Sequence, residues 1–541
     1  MSITMTLGKK ARLARVEPLL EGKVLPTEQT VQALEAVLLP GDRVALEGNN
    51  QKQADFLSRC LAQVDPSVVH NLHMVMSCIT RPEHLDLFEA SIAATADFAY
   101  CGPQSLRVAQ LIADGVLKVG AIHTYLELYA RMYLDLFPQV ALIAADQGDT
   151  HGNLYTGPNT EDTPVVSETT AFRGGVVIAQ VNELVEPASL PRVDIPGDWV
   201  DVVVTADRPY QLEALFTRDP RQINEVQIFM AMIAIRGVYE RHEVTSLNHG
   251  IGYDTAAIEL LLPTYGESLG LRGKICRDWA LNPHPTLIPA IESGWVRSVM
   301  PFGNEVGMGA YVSSRPDIFP IGPDGTLRSN RMAAQAAGLY ATDMFIGSTL
   351  QIDADGNSST VTAGRVSGFG GAPNLGHDPR GRRHSTPAWL GTGAMSTGRG
   401  RKLVVQTVQT YGAKGTPHFV ESLDAVQAGK DAGLPVPPVM IYGDDITHVV
   451  TEEGVAYLYK ARDLEERRQA VAWAAGATPF GLARDRSKDD MMRRDGLIAS
   501  PEDLGVRRTD ARRSLLAARS IADLVEWSGG LYDPPSRLRD W

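Results

Sequence analysis

Residues 366–378 read VSGFGGAPNLGHD, and PRGRRH follows at once. Gly368, Gly370 and Gly371 strip side chains from this stretch, so a substrate can lie against bare backbone N–H groups. Asn374 adds an amide, and Arg380, Arg382 and Arg383 add fixed positive charge. The combination suits an enzyme that holds a thioester. N–H groups would stabilise a carbonyl oxygen as it turns negative, and cations would hold the phosphates of a thiol carrier. Attack of a carboxylate on a thioester develops such an oxyanion, and the N–H groups of Gly370, Gly371 and Ala372 are the candidates to receive it. The plain alternative is a Gly-rich turn with a solvated basic flank.

A second constellation is Asn248-His249-Gly250-Ile251-Gly252, between an apolar run and the amphipathic stretch DTAAIELLLP. It reads as a strand-to-helix turn, where helix N-terminal N–H groups around Gly250 and Gly252 favour phosphate or carboxylate. Asn248 reads equally as a helix cap or turn residue. His151 and His249 stand beside Gly-rich turns and could orient a substrate, although a structural His249 is the preferred reading. Glu47 and Asn49 end the first strand, where open α/β sheets bind ligands. Glu452-Glu453 opens an apolar stretch and reads as an acid pair at a helix N-terminus rather than a catalytic dyad.

The elements that must position these residues alternate. Residues 44–49, 73–78, 96–102, 117–123, 140–157 and 174–182 read as strands, separated by stretches of helical spacing such as Ala54, Leu57, Leu61 and Val64. That alternation predicts an α/β protein with mainly parallel sheets covered by helices. Near residue 220 the pattern restarts. Ala231–Tyr239 reads as a helix and residues 244–252 as a strand. Residues 345–361 repeat the plan of 140–157: an apolar strand, an Asp-containing Gly-Asn turn, then a polar strand. We therefore expect two related halves, 1–220 and 221–485, and a charged helical tail, 486–541, on the surface. In DADGN, Gly356 stands at the fourth loop position and Gly364 at the twelfth, so an EF-hand is excluded and a hairpin turn expected.

The chain has 541 residues, 44% of them hydrophobic and 21% charged, with a net charge of −13. Such an acidic chain is a poor general nucleic-acid binder. Its local basic patches are Arg380/Arg382/Arg383 and Arg399/Arg401/Lys402. Cys60, Cys78, Cys101 and Cys276 show no metal-ligand or disulfide spacing, so free thiols in a reducing cytoplasm and no metal are expected. Cys276 as a nucleophile lacks an identifiable base. The basic N-terminus has no apolar core of signal-peptide length, and no run reaches a membrane span.

The motifs ADQGDTHGNLYTGPN, NHGIGYDTAAIELLLPTYG, FGNEVGMGAYVSSRPDIFPIGPDGTLRSNR, GFGGAPNLGHDPRGRRH and THVVTEEGVA occur in that order. Together, over roughly residues 10–480, they resemble the two-half CoA-transferase fold and, within it, the α subunit of bacterial malonate decarboxylase. The resemblance implies an acyl-carrier-protein transferase that exchanges acetate for malonate on the thiol of an acyl-carrier subunit. That thiol is a phosphoribosyl-dephospho-CoA arm, and no tightly bound cofactor is implied for this chain. The implied partners are the acyl-carrier and decarboxylase subunits of a cytoplasmic complex, with no nucleic acid or membrane; the tail is compatible with a homo-oligomer. Malonate has two carboxylates, so a basic residue should hold the one that does not react. Arg277 and Arg365 are the guesses.

Many CoA-transferases carry a Glu nucleophile downstream of the GIG turn. Here that stretch is GLRGKICRDWALNP, and a rough alignment places Arg277 at the Glu position, with Asp278 and Glu267 as the nearby acids. The simplest inference is direct attack by the substrate carboxylate through a transient mixed anhydride, with no covalent enzyme thioester. Two other readings remain: a CoA-transferase or hydrolase acting on free acyl-CoA, and a non-catalytic scaffold subunit. A nicotinamide enzyme is discounted, because the first turn, EGNNQKQ, lacks the GxGxxG pattern.

Overall fold

The computed structural model describes residues 3–210, 212–377 and 402–539. Its first sheet contains β1 (Val24–Leu25), β2 (Arg43–Leu46), β3 (Leu72–Cys78), β4 (Ala93–Tyr100), β5 (Lys118–Ile122), β6 (Val140–Asp149), β7 (Leu154–Tyr155), β8 (Val176–Val185) and β9 (Val202–Thr205). The order is β1-β9-β8-β6-β2-β3-β4-β5, with β7 off this path against β6. Every pairing except β6–β7 is parallel, as in Ala45 opposite Ala141 and Val75. The central strands are runs of Val, Ile, Leu and Ala buried on both faces, as a parallel sheet between helices requires. Helix α1 (Tyr125–Leu134) follows β5; the Thr124 side chain caps it, accepting from the Glu127 N–H.

A capping box, Asn224 with Gln227, opens the second half at the helix Glu225–Ala234. That helix continues as a π-helical turn, Ile235–Glu240, which accounts for the helix read at Ala231–Tyr239. The second sheet contains β10 (Ser246–His249), β11 (Asp278–Ala280), β12 (Ser298–Met300), β13 (Met344–Ser348), β14 (Leu403–Thr407), β15 (His448–Thr451), β16 (Gly454–Ala456) and β17 (Ile498–Ala499). Its order is β12-β11-β10-β13-β14-β15-β16-β17, parallel as far as β15 and antiparallel beyond. Helix α2 (Tyr253–Leu261) follows β10, and α3 (Arg331–Ala341) precedes β13.

The two hairpin turns repeat in atomic detail. Asp149 accepts from the N–H groups of His151 and Asn153 and from Asn153 Nδ2, at 2.8–2.9 Å. Asp353 accepts from the N–H groups of Asp355 and Asn357 and from Asn357 Nδ2, at 2.9–3.1 Å. The side-chain Oδ1 atoms of Asn153 and Asn357 then accept from the N–H groups of Gly197 and Gly443. This correspondence is the physical basis of two related halves, and DADGN is indeed a hairpin turn, between Gln351–Ile352 and Ser358–Ser359.

Two expectations change. The segment 486–541 is not a surface tail. β17 forms the edge of the second sheet, and Leu516, Ile521, Leu524 and Tyr532 enter its core. The apolar face hidden among its many charges is what the charge run obscured. Glu452 and Glu453 lie in the turn between β15 and β16 rather than at a helix start, and Glu452 accepts from the Thr410 N–H and hydroxyl. The halves also interlock: Val361, Val366, Leu423 and Ala425, from the second half of the sequence, complete the core of the first sheet.

Candidate active site

Strands β4, β10 and β13 end at Tyr100, His249 and Ser348, and their C-terminal ends open on one cavity of about 320 Å³. Gly368, Gly370, Gly371, Ala372, Asn248 and Gly250 all line it, so the two constellations separated by more than a hundred residues meet. The Gly loop is held against the first half by an antiparallel bridge at the C-terminal end of β4, Tyr100 opposite Gly368. The Cys101 N–H donates to the Ser367 carbonyl at 2.9 Å, and the Phe369 and Gly370 N–H groups donate to the Ala99 carbonyl at 2.7 and 2.9 Å. Gly368 has φ +71°, and a Cβ there would lie 2.4 Å from the Ala99 carbonyl oxygen. Gly370 has φ +58°, and its carbonyl accepts the Tyr125 N–H at 3.2 Å, seating the start of α1.

This pinning selects among the three candidate oxyanion donors. The Gly370 N–H is taken by Ala99, and the Ala372 N–H by Phe369 at 3.3 Å. The Gly371 N–H has no acceptor among the described residues. Gly371 itself has φ −91°, so the left-handed backbone lies one and three residues earlier. Asn374 does not line the cavity; its side-chain oxygen accepts the Leu126 N–H at 3.3 Å and ties the loop to α1.

In the other wall, Asn248 Nδ2 donates to the Ala280 carbonyl and Asn282 Nδ2 donates to the Asn304 carbonyl at 2.8 Å. Their Oδ1 atoms are buried without a partner, two acceptors that a ligand N–H could satisfy. The Gly250 N–H donates to the Ile346 carbonyl at 2.7 Å. Gly252 caps α2 outside the cavity lining, with Ser348 Oγ 2.8 Å from where a Cβ would stand. His249 lines the cavity but is committed to the core. Its Nδ1 lies 2.9 Å from Glu259 Oε1, and its Nε2 lies 2.7 Å from the Tyr239 hydroxyl. His284 Nδ1 shares the same Glu259 oxygen at 2.9 Å. Burial alone would raise the Glu259 carboxyl, but His284 and His249 hold it well below the usual carboxylate range.

Three arginines line the cavity, Arg218, Arg331 and Arg365. Arg331 is the first residue of α3, capped by Asn330, and is 4% exposed. It pairs with Glu161, lies 3.6 Å from Asp162, and stands 4.7 Å from the Tyr125 ring centroid. Burial lifts the Glu161 carboxyl to about 7 in spite of Arg331. The described lining residues include no Asp, Glu, Cys or Lys.

Several sequence candidates lie elsewhere. Arg277 stands at the N-terminal end of β11, away from the cavity; the residue beyond that strand's C-terminal end that reaches the lining is Asn282. At that end of the strand the cavity is thus lined by an amide. Asp278 pairs with Arg297 at 2.6 Å, and Glu267 pairs with Arg272 at the surface. Cys276 is buried, and burial pushes its thiol far up, which removes it as a nucleophile. His151 is exposed in the β6–β7 turn. Glu47 is buried against Lys52, Thr163 and the Ala144 N–H, and Asn49 is buried beside Cys78; neither lines the cavity. Arg380, Arg382, Arg383, Arg399 and Arg401 lie outside the described residues. Lys402 is buried, donating to the Gly338 and Leu339 carbonyls, so it does not form a surface patch. Among the described residues no cluster of three or more His, Cys, Asp or Glu is placed to hold a metal ion, and no helix is long and apolar enough to cross a membrane.

Sequence reasoning missed Arg331 and Arg218. For Arg331 there was a signal: Asn330-Arg331 puts a cation at a helix N-terminus, where the helix dipole disfavours it, so a compensating anion was required. Arg218 sits in the connection between halves and gave none.

The malonate decarboxylase α-subunit (transporter) family model matches residues 4–541. Acetyl-S-ACP:malonate ACP transferase of Malonomonas rubra is 57% identical over 528 residues, 96% of this chain and 95% of that protein. A crystal structure of a Pseudomonas malonate decarboxylase hetero-tetramer in complex with malonate is 64% identical and covers 99% of each chain, with a TM-score of 0.95. The fold extends further. A citrate lyase α-subunit structure from Streptococcus mutans (14% identity, 95% of this chain and 87% of that one, TM-score 0.60) shares the architecture alone. So does an acyl-CoA transferase from Escherichia coli O157:H7 (16%, 82% and 89%, TM-score 0.53).

Proposed function

This chain belongs to the malonate decarboxylase α-subunit family, and on that premise we infer that it transfers an acyl carrier's thiol from acetate to malonate: acetyl-S-carrier plus malonate gives malonyl-S-carrier plus acetate. The observation that carries the chemistry is a cavity lined by three arginines and, among its described residues, by no carboxylate or thiol. Such a site attracts a carboxylate substrate and offers no side chain for a covalent acyl-enzyme.

A malonate carboxylate oxygen attacks the acetyl thioester carbonyl. The C–O bond forms, the C–S bond breaks, and an acetyl-malonyl anhydride and a thiolate result. The thiolate then attacks the malonyl carbonyl of the anhydride, and acetate leaves. No proton is gained or lost overall, so no general base is needed. What the protein must supply is placement and charge stabilisation. The Gly371 N–H is the donor free to meet the oxyanion, and Arg331 supplies fixed positive charge in the same cavity lining. The orphan oxygens of Asn248 and Asn282 suit the amide N–H groups of a pantetheine-like arm, in keeping with the phosphoribosyl-dephospho-CoA group inferred for the carrier. The Pseudomonas relative is part of a hetero-tetramer, which supports assembly of this chain with carrier and decarboxylase subunits. The basic segment with Arg382 and Arg383 remains the proposed docking site for the carrier. A non-catalytic scaffold would have no use for a Gly loop with an unspent N–H in a cavity lined by three arginines.

The test is incubation of the chain with an acetylated carrier, or acetyl-CoA as surrogate, and ¹³C-malonate, followed by mass spectrometry of the thioester. Labelled malonyl thioester with release of acetate is expected. Hydrolysis to free thiol and acetate alone would replace transfer with a thioesterase reading.

A further inference from the structure

The three cavity arginines are not equivalent. Arg331 already has Glu161 and Asp162 as ion partners. Arg365 is exposed at the rim. Arg218 is half-buried and makes no ion pair among the described residues. Its Nη1 donates to the carbonyls of Leu215 and Thr217, both at 2.8 Å, which fixes the guanidinium plane. The guanidinium carbon stands 5.7 Å from the centre of the Tyr253 ring. The Nε and Nη2 groups have no acceptor among the described residues, although Arg218 lines the cavity. The acids that act on it, Glu305 and Glu259, do so through space. Glu305 is instead engaged by Gln51, Leu215 and Thr217. Even half-buried, a guanidinium without a paired counter-ion gains when a ligand brings one, and its fork-shaped donors match a carboxylate.

We propose that Arg218 holds the carboxylate of malonate that does not react, and so decides for a dicarboxylate over a monocarboxylate at the transfer site. This rests on the transfer reading above. It divides the work between two cations. Arg331 acts wherever the reacting carboxylate and thioester meet, for either acid. Arg218 acts only when a second carboxylate is present.

The substrate series is malonate, monomethyl malonate and acetate, each as acceptor from a labelled acetyl thioester; the acetate arm is isotope exchange. The proteins are wild type, Arg218→Gln and Arg218→Lys, with folding followed by circular dichroism and thermal melting. The wild type should prefer malonate over its half-ester by about ten- to a hundredfold in kcat/KM, the worth of one charge-assisted contact. In Arg218→Gln that preference should collapse, mainly through the KM for malonate, and Arg218→Lys should recover part of it. A folded Arg218→Gln or Arg218→Lys that keeps the wild-type preference overturns the proposal. So does a wild type that uses the half-ester as well as malonate, whatever the variants do. Absence of any acyl transfer by the wild type would instead overturn the transfer reading itself.

Discussion

Replacing Gly368 with Ala adds one methyl group at the join between the Gly loop and β4. Two effects add. An L-residue in the left-handed region costs about 1–2 kcal/mol, and φ there is +71°. The new Cβ would also stand 2.4 Å from the Ala99 carbonyl oxygen, and no rotamer relieves a contact between Cβ and backbone. Against this stand three backbone hydrogen bonds holding the loop, from Cys101, Phe369 and Gly370, worth about 1 kcal/mol each. The opposing sums are similar, so the loop should lift by the ångström or so the contact demands while the two halves stay folded. Misplacing a catalytic donor on that scale costs about a hundredfold in rate, or about 2.7 kcal/mol. Gly371→Ala is the matched control. There φ is −91° and the added Cβ meets only the amide end of Gln335, which can swing away. Initial rates of malonyl thioester formation by mass spectrometry, with melting temperatures alongside, compare the two. Gly368→Ala should fall about a hundredfold with a modest drop in melting temperature, and Gly371→Ala only a few-fold. Wild-type turnover in Gly368→Ala would refute the view that β4 positions the catalytic loop. Equal losses in both variants would refute the backbone argument. The bulkier Gly371→Val would act through Gln335, not through φ.

Arg331→Met should destabilise the protein by about 3–5 kcal/mol, because Glu161 and Asp162 lose their buried counter-charge; denaturant unfolding should show Glu161→Gln recovering part of the loss in the double variant. Glu305 is raised to about 7 by burial, so its folded state favours the protonated form. Its contribution to stability is present below the unfolded value of about 4.5 and is lost as pH rises toward 7. Glu305→Gln should remove up to about 3 kcal/mol of that slope, read from unfolding at pH 5 and pH 7.5; parallel pH curves for the two proteins would contradict it. Intact mass after incubation with acetyl-CoA alone should be unchanged, since no described cavity residue carries a carboxylate; a CoA adduct on any Asp or Glu would reverse the direct-attack mechanism.

Much of the fold was legible in order along the chain because each element carries its own pattern. Runs such as VALIAADQ can be buried on both faces only inside a parallel sheet. The repeated Asp, Gly and Asn of 149–153 and 353–357 disclosed the related halves, since those side chains bond within their own turns. Glycine clusters likewise announced a bare backbone at 368–371 and a strand-to-helix turn at 250–252. What the sequence could not disclose is where each donor's hydrogen bond goes. Only the pairing of the Gly loop with β4 takes up the Gly370 N–H and leaves that of Gly371. Only the meeting of the two sheets places Arg218 and Arg331 in one cavity and leaves Arg277 at the far end of its strand. Local pattern determines an element because its hydrogen bonds and burial repeat over a few residues. A charge in a cavity is defined instead by what surrounds it in space, and for Arg331 those partners lie about 170 residues away in the chain.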